Sequence, residues 1–514
     1  MAVTVTSDFV TLFNGNSGFG GGSTYSGFQR FGTACNGVQV SNTTTHYSGT
    51  VTSFNGTGRR ITVWMTAPAS VATIANGGYR IVIGGGGNTR AYYVGGRDVA
   101  PFVQAGWNCF VLDLDALASY SFAQLEGSGV PTITAITTVG VGFNVQSKAV
   151  GNSPNCFYDI MQHGTGLTIA GGTAGSPGLF SEIAAWDESS SAATGTIRQI
   201  GQGIFGLQGR LTFGSTSAAS HFEDTNALVF FEGGVANSAG FYRLTVQGSG
   251  SHTNVFRLGE RQGSGESSIG VAGVTIQSSR PWQLIADSAN ATIELLGCTI
   301  RGASQGVALR GEARSCTFDN NGQINPNDAI MRLNTISGST VTTGALLWNS
   351  SIDIENCNFT GNNRAIEHNT AGTYNYYDLR FSENTFDINN TSAGTVTVNA
   401  LGTSNPSTST GGTTAILNTK EFRFTVVNNA GEPQTGYEWR LYTKNPIQGI
   451  IGDIELAGEE VATSATQTYQ YNYVEDTDVK LQIIETGFEE FLSLYVLGDA
   501  DQNVTVRLVT ETNL

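Results

Sequence analysis

The chain has 514 residues, 67 of them glycine, with 13% charged residues and a net charge of −16. Its length allows about three domains at the usual ~100–200 residues each. The acidic balance, with no stripe in which Lys or Arg alternates with aromatics, argues against a phosphate-backbone partner, so no nucleic acid is expected. No segment offers the roughly 18 uninterrupted apolar residues of a membrane helix, and no membrane insertion is expected.

Val, Ile, Phe and Tyr scattered among Ser, Thr, Asn and Gly favour strands and turns, so the fold class is all-β. The opening MAVTVTSDFVTLFN lacks a basic n-region and an apolar h-region, and no export signal is expected. Cys35, Cys109, Cys156, Cys298, Cys316 and Cys357 form no CxxC pair and read as buried free thiols.

Residues 1–200 alternate in short bursts such as RRITVWMTA (59–67) and WNCFVLDLD (107–115). In the latter, Phe110, Leu112 and Leu114 fall on one face and Val111, Asp113 and Asp115 on the other, the period of a half-buried strand. The region reads as an antiparallel β-sandwich. GGGGNTR (84–90) lacks the Lys-Ser/Thr of a phosphate loop and reads as a hairpin turn, and DESSSAATG (187–195) as a linker.

Over 204–400 a template recurs: apolar-x-apolar-x-x-[apolar, Cys or Asn]-[Thr or Asn]-apolar. It matches at Ala239/Phe241/Leu244/Val246, Ile269/Val271/Val274/Ile276, Ile293/Leu295/Cys298/Ile300 and Gly311/Ala313/Cys316/Phe318. Further matches are Ala329/Met331/Asn334/Ile336, Ile352/Ile354/Cys357/Phe359 and Leu379/Phe381/Asn384/Phe386. Spacings between the sixth-position residues are 30, 24, 18, 18, 23 and 27. A fixed signature at variable spacing means coils whose turns tolerate insertions, and a right-handed parallel β-helix is predicted. The two skipped residues reverse the inside/outside parity at a corner. Asn334 and Asn384 are expected in one inward column with the cysteines, bonded to backbone.

Residues 401–415, within NALGTSNPSTSTGGTT, read as a linker or long loop. Residues 416–514, with period-2 strands at short intervals, suggest an immunoglobulin-like β-sandwich.

The outward residue between the first two inward positions forms a column: Gly240, Gly270, Glu294, Glu312, Ile330, Asp353 and Arg380. Glu294 and Glu312 should lie one coil apart, about 4.8 Å, near the ~5–5.5 Å separation of a retaining glycosidase. With Asp353 they are the candidate catalytic residues. They read equally as solvated carboxylates on a charged face, the commoner case. A second outward column of Thr245, Thr275, Thr299, Thr317, Thr335, Asn358 and Thr385 makes those threonines candidate binding residues, or simply reflects β-propensity. GASQG (302–306), with Asp353 and His368 downstream, has the residues of a serine hydrolase but not its strand–turn–helix setting. DADQN (499–503) and DNNGQINPND (319–328) are oxygen-rich loops that read as turns rather than calcium sites. No metal and no cofactor is expected.

The repeats IENCNFTGN, RSCTFDNN and IELLGCTIRG, with HFEDTNALVFFEGG (221–234), resemble the β-helical segments of bacteriophage tailspikes and head or tail fibres. RIVIGGGGNTRAYYVGGRD and WNCFVLDLD resemble the jelly-roll modules attached to such proteins, and FRFTVVNNAGEPQTGYEWRLY with GFEEF resembles their small terminal sandwiches. The resemblance implies a virion component assembled in the host bacterial cytoplasm. Its expected partners are other virion proteins, further copies of itself in a homo-oligomer with the trimer favoured, and host surface glycan. A structural protein on the particle surface is the leading expectation. The alternative is a tailspike-like depolymerase, hydrolase or lyase, acting on envelope polysaccharide through the outward carboxylates.

Overall fold

The computed structural model describes the chain except Met1 and residues 15–22, 27–28, 31–33, 39–43, 67–73, 86–87, 96–106, 120–121, 128–129, 146–155, 190–193, 232–241, 261–272, 279–280, 404–405, 410, 444–453, 474–475 and 511–514. Two compact units divide it, Met1–Leu347 and Trp348–Leu514.

In the first unit the chain winds through three parallel sheets in turn. One, here the threonine face, stacks Ile204–Leu207, Leu228–Phe231, Thr275–Gln277, Thr299–Arg301, Thr317–Asp319 and Thr335–Ser337. The next stacks Gly166–Gly171, Arg210–Phe213, Arg243–Val246, Gln283–Ala286, Val307–Ala308, Ile324–Asn325 and Leu346–Leu347. The last, the carboxylate face, stacks Ser220–Asp224, Asn254–Leu258, Ala291–Leu296, Gly311–Arg314 and Ile330–Arg332. Each strand pairs in parallel with its equivalent one coil on, as in Thr299↔Thr317 and Leu295↔Ala313. This is the wound arrangement of a parallel β-helix. Alternate residues point inward and stack: Ile276, Ile300, Phe318 and Ile336 are almost wholly buried and fill one column of the core.

The corner between carboxylate and threonine faces shows how the two skipped residues reverse parity. Gly297, Ser315 and Leu333 have φ of 62°, 53° and 57°, the left-handed region, and each turns the chain so that the next residue points in. Those next residues are Cys298, Cys316 and Asn334, all buried. Their side chains do the same work. Cys298 Sγ donates to the Leu258 carbonyl (3.2 Å), Cys316 Sγ to Leu295 (3.2 Å) and Asn334 Nδ2 to Ala313 (2.8 Å), carbonyls that occupy equivalent positions in successive coils. Asn334 Oδ1 also accepts the Cys316 amide at 2.9 Å. Cysteine is therefore more than an apolar filler here, because the position selects a small side chain with a donor.

The corner after the threonine face follows the same rule. Gly302, Asn320 and Gly338 have positive φ, and Asn321 accepts from the Ala303 amide and donates to the Ile300 carbonyl, both at 2.8 Å.

The stack begins earlier than residue 204. Gly166–Gly171 pairs with Arg210–Phe213, and Val3–Ser7 adds an antiparallel strand beyond it. Helix Phe180–Ser189 lies where a linker is predicted at its C-terminal end. Its Phe180 ring packs on Phe205, Phe213 and Phe222 at 5.8, 6.2 and 5.0 Å, closing the end of the coil core. Asp187 is buried and holds the chain after the helix: Oδ1 takes the Thr194 amide and hydroxyl, and Oδ2 takes the Thr196 and Ile197 amides.

The rest of the N-terminal region forms two antiparallel sheets, one centred on Ile74–Gly85 and Ile136–Val145, the other on Arg60–Thr66 and Cys156–Gly164. Ile61, Val63, Ile81, Ile83, Val139 and Val141 from the two sheets share one core. The predicted alternation of WNCFVLDLD is incomplete, because Val111 and Asp113 are buried along with Phe110 and Leu112. Gly85↔Asn88 closes the hairpin predicted at 84–90.

The second unit repeats the winding. Ile354–Glu355, Gly372–Tyr377, Val396–Leu401 and Thr414–Leu417 correspond to the carboxylate face, Asn358–Thr360 and Arg380–Ser382 to the threonine face. Of the two readings of 401–415, the described residues have the form of the long loop, tied back to the coils: Thr403 Oγ1 accepts the Leu379 amide at 2.9 Å, and the strand Thr414–Leu417 at its end pairs with Val396–Asn399. Beyond it, a three-stranded and a four-stranded sheet enclose Phe422, Phe424, Trp439, Leu441, Leu481 and Ile483.

Three template matches shift. Leu244 and Val246 belong to the face between the other two, pairing with Leu211 and Phe213. Before Val274, the carboxylate-face strand is Asn254–Leu258, with Phe256 and Leu258 in the inward positions, while Ile269 and Val271 lie outside the described residues. The last copy is Tyr374/Tyr376/Leu379/Phe381, which moves Asn384 to the following corner, where it accepts the Asn362 amide at 2.9 Å. Inward alternation is alike on every face, so the template does not say which face it has found.

Candidate functional site

The outward column of the carboxylate face in the first unit is Glu223, Arg257, Glu294, Glu312, Ile330, in register through successive coils. Glu294 and Glu312 are therefore neighbours one coil apart, and each meets a guanidinium. Arg257 Nε donates to Glu294 Oε2 at 2.6 Å and its Nη1 to Glu223 Oε2 at 3.0 Å, with His221 Nε2 3.2 Å from the same oxygen. Arg314 Nη2 lies 2.7 Å from Glu312 Oε1, and this pair is only 9% and 7% exposed. Burial pulls the Arg257 guanidinium down, but hydrogen bonds and charge from Glu294 and Glu223 outweigh it, so it titrates above an ordinary arginine.

Asp353, in the second unit, starts an amide ladder: Asn375 Nδ2 donates to Asp353 Oδ1 at 3.0 Å, and Asn399 Nδ2 to Asn375 Oδ1 at 2.7 Å. Arg380 lies instead beside Asn358 on the other face, and Gly240 and Gly270 fall outside the described residues. Arg257 and Arg314 were the residues missed by the repeat template. A template anchored on Val255-Phe256-Arg257-Leu258 finds the first of them.

Thr275, Thr299, Thr317 and Thr335 form one continuous ladder, preceded by Leu228. Thr245 stands on another face between Thr212 and Ile285, and Thr385 is in a turn. Beside the ladder runs a second outward column, Phe230, Gln277, Arg301, Asp319, Ser337, in which Arg301 Nε reaches Asp319 Oδ2 at 2.7 Å. Leu228, Phe230, Gln277, Arg301 and Asn320 line an open concavity of about 580 Å³ there. A half-exposed ring next to amide and guanidinium groups can stack on and hydrogen-bond to a polyhydroxylated ligand.

A smaller cleft of about 230 Å³ lies among Arg30, Trp64, Trp107, Glu188 and Arg198, with the Arg30 guanidinium 4.7 Å from the Trp64 ring centre. Ser304 sits in an exposed turn of the first unit, whereas His368 is buried in the second with Nε2 2.6 Å from the Tyr376 hydroxyl. In the two oxygen-rich loops the carboxylates serve the fold. Asp499 Oδ1 takes Lys420 Nζ (3.1 Å) and Asn418 Nδ2 (3.0 Å), Asp501 Oδ1 takes the Glu421 amide (2.9 Å), and Asp319 pairs with Arg301. Among the described residues no three His, Cys, Asp or Glu side chains gather as metal ligands, and no helix is long and apolar enough to cross a membrane.

No family model matches the chain. No curated protein matches it in sequence. Solved structures that match include GH87 alpha-1,3-glucanase catalytic domains. An alanine-substituted form with nigerose is 10% identical at a TM-score of 0.18, covering 88% of this chain and 78% of that one. Another with tetrasaccharides is 10% identical at 0.17, covering 88% and 79%. At such TM-scores the likeness carries no argument about chemistry.

Proposed function

We propose that this protein is a non-enzymatic structural component of the surface of a bacteriophage particle, a head decoration, fibre or spike, which meets host glycan through the outward faces of its coils. The observation that supports this reading is the engagement of the outward carboxylates. A glycosidase pair needs one carboxyl free to give a proton and a second free to attack or to activate water. Glu294 and Glu312 are instead tied to Arg257 and Arg314, and Asp353 to Asn375. The threonine ladder and its concavity offer a regular, lightly charged surface suited to stacking and hydrogen bonding.

In this reading the N-terminal sheets are a jelly-roll-like sandwich, and the coils wind right-handed, the hand that parallel crossovers favour. The C-terminal sheets are an immunoglobulin-like sandwich. Assembly takes place in the reducing host cytoplasm, in keeping with six free thiols. The partners are other virion proteins and further copies of the chain, a trimer in the simplest case.

The test is incubation of the purified protein with host envelope polysaccharide, reading reducing-sugar release and, for a lyase, ultraviolet absorbance of unsaturated product. No release is expected, with retention of the glycan and antibody labelling of intact particles. Release that disappears in Glu294→Gln or Glu312→Gln would establish the depolymerase in its place.

A further inference from the structure

The tripeptide Arg-Leu-Thr occurs twice in the first unit, at 210–212 and 243–245, and the winding lays the two copies over one another in register. They stand on the face between the carboxylate and threonine faces. Leu211 and Leu244 are buried in the core, so Arg210 and Arg243 make one outward column and Thr212 and Thr245 the next. The two arginines are one coil apart, about 4.8 Å at the backbone, and both are half-buried.

Like charges so placed repel one another. Other outward arginines of the coils are balanced by carboxylates: Arg257 by Glu223 and Glu294, Arg301 by Asp319, and Arg314 by Glu312. Among the described residues neither Arg210 nor Arg243 has such a partner, and the Nε of each is buried without a hydrogen bond. This is so in a chain with 41 acidic residues to 25 Lys and Arg. Their neighbours in the column are uncharged, Gly166 on one side and Gln283 on the other. Asp8, beside Gly166, accepts the Thr165 amide and hydroxyl and the Gly166 amide, at 2.8, 2.8 and 3.2 Å. Burial, and after it the charge of Arg210, holds Arg243 below an ordinary arginine. A local arrangement that works against the fold belongs at a functional site, where a ligand brings the missing charge.

We infer that Arg210 and Arg243 together bind an oxyanion, carboxylate or phosphate, carried by an acidic polysaccharide. The guanidinium fork takes either group through paired N–H donors. The adjoining column favours a polysaccharide over a protein partner. Thr168, Thr212 and Thr245 stand in register beside the arginines, half-buried, with hydroxyls at the coil spacing to meet sugar hydroxyls. From Gly166 to Gln283 and from Thr168 to Thr245 neither column holds a large apolar side chain, the anchor on which protein interfaces depend. The inference rests on the reading of the coil faces as glycan-binding and adds the class of glycan.

The test uses the full chain and three glycans of matched length: oligogalacturonate, phosphorylated dextran and plain dextran. Titration calorimetry at low ionic strength is expected to show at least one acidic glycan bound about tenfold or more tighter than dextran, with the preference fading as salt rises. The tighter of the two identifies the oxyanion. Arg210→Gln and Arg243→Gln should each remove about tenfold of that affinity without lowering the urea midpoint, since each relieves a repulsion. Arg243→Lys, which keeps the charge but not the fork, should fall between, and Arg423→Gln, a paired arginine of the C-terminal sheets, should bind as the wild type does. Equal binding of all three glycans by the wild type overturns the proposal, as does no binding of either acidic one. So does a preference that survives both Gln substitutions, or loss of binding together with a lowered midpoint in both. Retention of a neutral host glycan in any of these cases would leave the coil faces as glycan readers and remove only the arginine site.

Discussion

At the scale of single residues, the coil corners show where the chain carries a conformational cost. Leu333 has φ of 57° and is 55% exposed, so it holds a left-handed backbone with little burial in return. Asparagine tolerates that region better. Leu333→Asn is expected to stabilise the fold by up to about 1 kcal/mol, read from the urea midpoint at unchanged m-value. The adjacent Asn334 carries the opposite expectation. Its replacement by Ala leaves the Cys316 amide and the Ala313 carbonyl without this bridge in a buried place, at a cost of about 2–4 kcal/mol. Asn334→Cys should recover part of that loss, because a thiol there donates to the same carbonyl as its neighbours in the column do. Equal destabilisation by both variants would show that the Oδ1 acceptor for the Cys316 amide, which both lose, governs the corner rather than the donor.

At the scale of elements, the helix Phe180–Ser189 closes the start of the stack by setting one aromatic ring over the first coil. Phe180→Ala opens the cavity beneath it against Phe205, Phe213 and Phe222, and a loss of about 3–5 kcal/mol is expected in denaturant unfolding. This element was not legible in the sequence. Its FSEIAAWDES segment is short, and its polar end ran into a serine-rich stretch that resembled a linker. The coils between Ile293 and Ile336 were legible to the residue, since there the two-residue corner was kept without insertion. Where an insertion entered the corner, between Leu258 and Val274, the template slid onto the next apolar pair. The candidate carboxylates were found at their register positions. Their arginine partners were not, because one stands a coil away and the other two residues along the strand, separations that a single-column template does not scan.

For the molecule as a whole, acidity is the expected weakness. His46 and His163 in the first unit and His368 in the second are held down to about 4 by burial, with Arg80 and Arg59 adding to the effect for the first two. These rings are neutral in the fold, whereas an unfolded chain protonates them near pH 6.5. The unfolded state therefore binds more protons in between, and stability is full above about pH 6.5 and falls as pH drops towards 4. Buried His368 contributes on the order of 3 kcal/mol to that fall. His46, which is partly exposed, contributes less than the buried His163 and His368. Urea unfolding across this range should show the slope, and His368→Gln should flatten it for the second unit. An unchanged slope would mean that His368 gains its proton without leaving the fold.

The even spacing of Gly297, Ser315 and Leu333 also makes the stack a graduated rule. Each is 18 residues from the next, and each begins the same corner with the same hydrogen bond to the coil before it. A gene that gains or loses one such segment joins matching ends, so the stack of the first unit lengthens or shortens in ticks of about 4.8 Å without any new packing problem to solve. Reach in this molecule is inherited as a whole number of turns.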